Sequence, residues 1–150
     1  MPDLRELYQE VILDHHKKPR NFRKPEGANK KAEGFNPLCG DKISLFLQIE
    51  DGVVRDAGFV GSGCAISTAS ASMMTESLKG KTVAEVESLF ERFHDLVTGR
   101  TPTEAGTAGL GKLEVFAGVR DYPVRVKCAT LCWHTMRAAL HDTTDTVATE

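Results

Sequence analysis

The sequence lacks an excess of basic residues, with 19 Lys and Arg against 21 Asp and Glu in 150 residues. A surface that binds nucleic acid or an anionic membrane needs such an excess, so neither partner is expected. No apolar run approaches the roughly 18 residues that span a membrane. The first ten residues also lack the pattern of a signal peptide. We therefore expect a cytoplasmic protein.

Cysteine is also scarce, since the chain has four, and none of them form the Cys-x-x-Cys spacing that announces a metal or redox site. In a reducing cytoplasm, structural disulfides are not expected. The thiols are then candidates for metal binding or thiol chemistry. Free cysteine is equally among the most buried residue types, so core packing stays open for each one taken alone.

The periodicity of the apolar residues predicts the secondary structure. Alternating apolar residues predict two strands joined at Asp51–Gly52, which is a hairpin signal. Helical spacing predicts helices at about 3–18, 64–80, 82–99, 113–117 and 123–140. A polar stretch rich in Lys, Glu and Gly precedes Asn36, and no element is assigned to it.

The order of these elements, with strands grouped early and helices late, predicts an α+β fold. We expect a small antiparallel β-sheet with helices packed on it. The length favours one domain over residues 1–150. From about residue 141 the tail has nothing to bury and is expected to fray.

The motif NPLCGD, residues 36–41, places a thiol and a carboxylate together. Cys39 and Asp41 lie two residues apart where a strand begins, so extended backbone would point both side chains the same way. Asn36 and Pro37 are expected to fix the turn before them. Gly40 lets the backbone come close to whatever they bind.

The other thiols lie at positions that favour thiolate. Cys64 follows GSG and starts a helix, whose free amides and dipole favour a negative sulfur. Cys128 is on the last helix and follows Arg125 and Lys127, two nearby cations with the same effect. Three thiolates and Asp41 would fit tetrahedral zinc and equally a two-iron cluster. Their convergence in space is a hypothesis at this point.

Four motifs together resemble the iron–sulfur cluster assembly proteins of the IscU, SufU and NifU N-terminal family. They are LYQEVILDHHKKPRN, NPLCGD, GSGCAISTASASMMTESLKGK and RVKCATLCWHT, and the resemblance runs from about Asp3 to Leu140. It implies a SufE/IscU-like fold that matches the α+β prediction. It also implies a metal or cluster site, which carries over to Cys39, Asp41, Cys64 and Cys128.

Within that family, the chain looks most like the SufU branch. It has the longer segment 99–119 before the last helix, and Lys127 stands where the IscU branch carries a histidine ligand. The proline-rich stretch that a chaperone recognises in IscU-type proteins reads YPVRVK here, so that partner is not expected. Cys132 falls where SufU-like proteins often have serine. It could assist sulfur transfer, replace a ligand or fill space, and we favour space-filling.

The resemblance implies a cluster assembly protein that accepts persulfide sulfur from a cysteine desulfurase, here a SufS-like one. Cys39 is the first choice as acceptor and Cys128 the second. The protein would support assembly of a transient [2Fe–2S] cluster for downstream Suf or apo-acceptor proteins. Alternatives are a zinc-dependent sulfurtransferase that holds no cluster, or a zinc-stabilised interaction domain. Whether it counts as an enzyme depends on which applies.

The histidines give no further site. His15 near the end of the first helix favours a structural or dipole role. His94 and His141 look like surface residues, and His134 beside Trp133 favours packing over metal binding.

Overall fold

A computed structural model describes residues 4–37, 40–98, 113, 115–116, 118–119, 122–141 and 147–148. In chain order the helices and strands are α1 Leu4–Lys17, β1 Lys30–Asn36, β2 Asp41–Glu50, β3 Val53–Ser62, α2 Ala65–Leu78, α3 Val83–Thr98, α4 Pro123–Leu140 and β4 Val147–Ala148. The predicted α+β fold is confirmed, with helices packed on a sheet made mainly of antiparallel strands.

The sheet has the strand order β3-β2-β1-β4. The hairpin predicted at Asp51–Gly52 joins β2 and β3, and both turn residues have positive φ, at 52° and 73°. A turn with two left-handed residues matches the twist of the strands that it connects. β1 and β2 are also antiparallel, and their last pair is Asn36 with Asp41.

Strand β1 carries no large apolar residue on its inner side, which is why the sequence pattern missed it. Its buried positions are Ala32, Gly34 and Asn36. The side chains are small because α4 packs closely on this strand. A Cβ at Gly34 would already lie 3.1 Å from Leu131 Cδ1. Two small residues and an amide give no period-two apolar signal.

Two further predictions concern the tail from about residue 141 and the helix at about 113–117. Val147–Ala148 pairs in parallel with Gly34 and Phe35, so the expected fraying does not extend to these two residues. The helix predicted at about 113–117 lies partly outside the described residues. Its described members are Leu113, Val115 and Phe116, and all three are buried.

The core lies between the inner face of the sheet and the helices. Trp133 of α4 is fully buried and stacks on Phe93 of α3, with ring centroids 4.5 Å apart. Most of α2 is buried as well, so α2 and α4 are held from several sides. Among the described residues, no helix is both long and apolar enough to cross a membrane. The two helices associated with Cys64 and Cys128 are both largely buried.

Candidate metal centre

One end of the sheet brings three potential metal ligands together. Asp41 is the first residue of β2, Cys64 immediately precedes α2, and Cys128 lies in the second turn of α4. One ligand atom from each lies within 4.8 Å of the other two. Within the described part of the chain, no other such group of His, Cys, Asp or Glu was found. The fourth predicted ligand, Cys39, lies outside the described residues.

Asp41 is a fully buried carboxylate. Its Oδ1 accepts a hydrogen bond from the backbone N–H of Cys64 at 2.8 Å, and its Oδ2 lies 3.9 Å from Cys64 Sγ. One oxygen is therefore fixed by backbone while the other faces the sulfur. Because burying a negative charge is costly unless it is compensated, this carboxylate suits a cation at the centre of the group.

The approach of Cys64 to Asp41 depends on Gly63, which precedes Cys64 in the link between β3 and α2. A Cβ added to Gly63 would lie 2.8 Å from Asp41 Oδ1, closer than carbon and oxygen atoms normally come. Glycine has no Cβ, so the backbone can close on the carboxylate. The GSG sequence before Cys64 thus has a local structural reason.

Cys64 caps the N-terminus of α2. Its backbone is extended, with φ −69° and ψ 170°, and its Sγ accepts a hydrogen bond from the N–H of Ser67 at 3.4 Å. An N-cap side chain satisfies an amide that has no partner inside the helix. The predicted helix-start position of this cysteine is confirmed, and the residue is exposed to solvent.

Cys128 is 3% exposed and receives a hydrogen bond that the sequence did not reveal. Asn36, which is fully buried, donates from Nδ2 to Cys128 Sγ at 3.6 Å. We predicted Asn36 only as a turn residue, but it is the last residue of β1 and points inward. Asn36 pairs across the two strands with Asp41, which is also buried. A sequence analysis that had recognised β1 could have placed Asn36 at the site from this pairing.

Cys132 does not join the group. It is 1% exposed, and its Sγ lies 3.4 Å from Ser70 Oγ in the core. Burial raises the pKa of this thiol to about 12. A thiol that resists ionisation is a poor ligand and a poor nucleophile. This environment agrees with the favoured space-filling interpretation.

Among the described residues, no histidine belongs to the group of potential metal ligands, and several have packed or paired positions. His15 Nδ1 is 2.7 Å from Ser72 Oγ between α1 and α2, which agrees with a structural role. His134 packs edge-on against Phe90, as predicted, and its pKa is lowered by burial and by the neighbouring His94 and Arg137. His94 is half-buried in the same cluster, contrary to the surface position we expected.

The donor set fits a metal ion. Two sulfurs and one carboxylate oxygen are ligands that zinc and iron accept, and a tetrahedral site needs one more. Cys39 is two residues from Asp41 in the chain and supplies the remaining thiol of the predicted set. The buried carboxyl group of Asp41 and the close sulfurs together favour a metal over a purely packed arrangement.

A family model described as the NifU-like N terminal domain matches residues 7–129. The chain is 42% identical to the zinc-dependent sulfurtransferase SufU of Bacillus subtilis strain 168, over 85% of this chain and 84% of the relative. It is 41% identical to the iron–sulfur cluster assembly scaffold protein IscU of Thermotoga maritima, over 89% of this chain and 92% of the relative.

Solved structures show the same fold. A crystal structure from Fervidobacterium islandicum AW-1, named for an iron–sulfur cluster assembly scaffold role in the SUF system, has a TM-score of 0.80 at 37% identity. That match covers 87% of this chain and 94% of the other. The NifU-like N-terminal structure from Brucella abortus has a TM-score of 0.80 at 22% identity, which supports the fold alone.

Proposed function

The chain belongs to the family of NifU-like N-terminal domains, and on this premise we propose that it acts in iron–sulfur cluster assembly as a cytoplasmic acceptor of sulfur. The observation that carries the proposal is the convergence of Asp41, Cys64 and Cys128 within 4.8 Å. These residues come from three separate elements, so chance packing is a poor explanation. The similarity to a zinc-dependent sulfurtransferase and to IscU scaffolds points the same way.

The proposed site binds one zinc ion through Cys39, Asp41, Cys64 and Cys128. Zinc would keep the thiols deprotonated and hold them at a common centre. Asp41 gives the site one oxygen among three sulfurs, whereas closed structural sites more often use only Cys and His. A carboxylate is a weaker partner for zinc than a thiolate, which suits a site that must rearrange.

The proposed partner is a cysteine desulfurase of the SufS type, whose catalytic cysteine carries a persulfide. The thiolate of the acceptor attacks the terminal sulfur of that persulfide, and a new S–S bond forms. The bond between the two donor sulfurs breaks, and the desulfurase cysteine leaves as a thiolate. The acceptor then carries the persulfide, and no further oxidant or reductant is required.

Cys39 is the proposed acceptor. The sulfur of Cys128 is buried and hydrogen-bonded to Asn36, and the sulfur of Cys64 is hydrogen-bonded to the N–H of Ser67. Both therefore already have contacts that hold them in place. Cys39 is the remaining thiol of the set, and in the sequence it falls after the end of β1 at Asn36 and before the start of β2 at Asp41. Cys128 is the second choice.

A scaffold that assembles a [2Fe–2S] cluster for downstream Suf or apo-acceptor proteins is the second candidate. The same cysteine-rich donor set fits iron, and Cys₃Asp is close to the all-thiolate ligation of two-iron clusters. The 41% identity to an IscU scaffold favours this alternative specifically. A zinc-stabilised interaction domain without sulfur chemistry is the third, less favoured possibility.

The test is the effect of the protein on desulfurase turnover under anaerobic conditions. A sulfur relay relieves inhibition by the bound persulfide, so the zinc-loaded protein should raise turnover many-fold without iron. Cys39→Ser should abolish the increase, and Cys132→Ser should preserve it as the matched control. A scaffold would instead show little activation without iron and form a coloured cluster that moves to an apo-acceptor. If the protein shows neither activation nor cluster formation, a role in cluster assembly is refuted.

A further inference from the structure

The two residues that close the β1–β2 hairpin each contact one cysteine of the site. Asn36 and Asp41 are paired across the two strands, and both are fully buried. Asp41 accepts the backbone N–H of Cys64 at 2.8 Å, while Asn36 donates its side-chain amide to Cys128 Sγ at 3.6 Å. The hairpin end therefore contacts both the residue that caps α2 and a residue of α4.

These two contacts differ in chemistry. Asp41 offers oxygen and is itself a proposed ligand. The Nδ2 of Asn36 offers only N–H groups on that side, so it serves the sulfur and not a metal ion. The 3.6 Å distance from Asn36 Nδ2 to Cys128 Sγ is within the range of hydrogen bonds to sulfur. Such a hydrogen bond is charge-assisted when the sulfur is ionised.

We infer that Asn36 is a positioning residue for the metal site: its side-chain amide holds the sulfur of Cys128 toward Asp41 and Cys64 and draws electron density from that sulfur. The inference rests on the proposed metal site and adds a residue to it. Groups that hydrogen-bond to metal ligands orient them and tune the bond to the metal. Cys128 would thus be the anchored thiolate of the set.

The burial of Asn36 supports this role over that of a simple turn former. A buried amide needs hydrogen-bond partners, because leaving it unsatisfied costs about 1–3 kcal/mol. Its Nδ2 reaches the sulfur of a residue 92 positions away in the sequence, on the helix packed against its strand, so part of that need is met by a ligand of the proposed site.

The experiment compares zinc and cobalt binding by the full-length wild type, Asn36→Ala and Asn29→Ala. Asn29 is the matched control, because its amide also bridges strands through two contacts with the backbone of Ile49, at 2.7 and 2.9 Å. We expect Asn36→Ala to weaken zinc binding by about 10- to 100-fold, the usual effect of removing such a partner. Asn29→Ala should change it less than about threefold.

Cobalt supplies a readout that a general loss of stability would not move. The amide lowers the energy of the sulfur electrons, so its removal should shift the sulfur-to-cobalt charge-transfer band to longer wavelength. Asn29→Ala should leave the band in place. Asn36→Leu keeps a similar volume, removes the donor and adds no metal ligand, and it replaces Asn36→Ala if that variant does not fold.

A double-mutant cycle identifies the partner. If Asn36 acts through Cys128, then Asn36→Ala should have little further effect on zinc affinity in a Cys128→Ala background. An equal loss in both backgrounds would overturn the inference, as would wild-type affinity and an unmoved cobalt band in the Asn36 variants. A wild type that binds neither zinc nor cobalt would instead refute the proposed metal site, and the inference with it.

Discussion

Cys128 and Cys132 lie one turn apart on α4, and their exposed fractions are almost the same, at 3% and 1%. Residues four apart on a helix lie on the same face. Nevertheless, Cys128 lies beside Asn36 and within 4.8 Å of ligand atoms of Asp41 and Cys64. Cys132 lies beside Ser70, and burial raises the pKa of its thiol to about 12.

The difference shows that burial alone does not separate a cysteine of the proposed metal centre from one that packs in the core. One turn of helix, about 5.4 Å, moves the side chain from the end of the sheet into the core. At the sheet end, a carboxylate and an amide surround the sulfur. In the core, the polar side chain beside Cys132 Sγ is the hydroxyl of Ser70. This hydroxyl also accepts a hydrogen bond from Trp133 Nε1 at 3.2 Å and donates one to the carbonyl of Ala129 at 2.6 Å.

The largest expected effect comes from exchanging each of these two cysteines for serine. Cys128→Ser should weaken zinc binding by more than about 100-fold and lower the melting temperature of the zinc-loaded protein, because metal binding is linked to folding. Cys132→Ser should retain about one zinc per chain. Metal analysis and thermal unfolding measure both. An equal loss of zinc in the two variants would erase the distinction between them.

A smaller effect is expected when the polar neighbour of Cys132 is removed. Ser70→Ala breaks the hydrogen bond to the Ala129 carbonyl and leaves the indole N–H of Trp133 without its partner. The cost should be about 2 kcal/mol in the free energy of unfolding of the metal-free protein. Zinc affinity should stay within about threefold of wild type. Denaturant unfolding measures the loss of stability, and zinc competition measures the affinity. A large loss of zinc affinity in Ser70→Ala would contradict the independence of the core around Cys132 from the metal centre.

The sequence predicted those parts of the fold and site that depend on local pattern. The β2–β3 hairpin followed from alternating apolar residues around Asp51–Gly52, and the helix start at Cys64 followed from the preceding glycines. Strand β1 could not be recognised, because its inner positions are occupied by Ala32 and Gly34, which fit under α4. A strand whose inward residues are small gives no apolar alternation.

The contact between Asn36 and Cys128 could not be predicted either. It depends on β1 being a strand and on α4 crossing it at one position, both of which are products of tertiary packing. The convergence of Asp41, Cys64 and Cys128 was a hypothesis drawn from the local position of each residue, and the family resemblance then implied the same set, since their spacing in the sequence does not place them together. The role of Cys39 stays a prediction, because it lies outside the described residues.

The smallest expected effect concerns pH and the far end of α4. The lowered pKa of His134 means that the unfolded chain, with a His pKa near 6.5, takes up a proton before the folded protein does. Stability should therefore be complete above about pH 6.5 and fall as the pH drops below it. His134→Phe should reduce this acid-side loss, because the substituted side chain does not titrate.

The control for that pH effect is His141→Gln, since His141 is exposed and pairs with Glu87 at 2.9 Å. This variant should keep the acid-side loss. Unfolding in denaturant at several pH values measures both variants. Identical pH profiles for His134→Phe and wild type would show that His134 does not contribute. Zinc binding at pH 7 should be unchanged in both, because these residues lie outside the metal centre.

The coordination shell of zinc in the purified wild-type protein tests the account most directly, and X-ray absorption at the zinc edge measures it. A site of Cys39, Asp41, Cys64 and Cys128 predicts three sulfurs near about 2.3 Å and one oxygen at about 2.0–2.2 Å. Four sulfurs would mean that Cys132 had replaced Asp41, contrary to its place in the core. Fewer than three sulfurs would contradict the proposed centre itself.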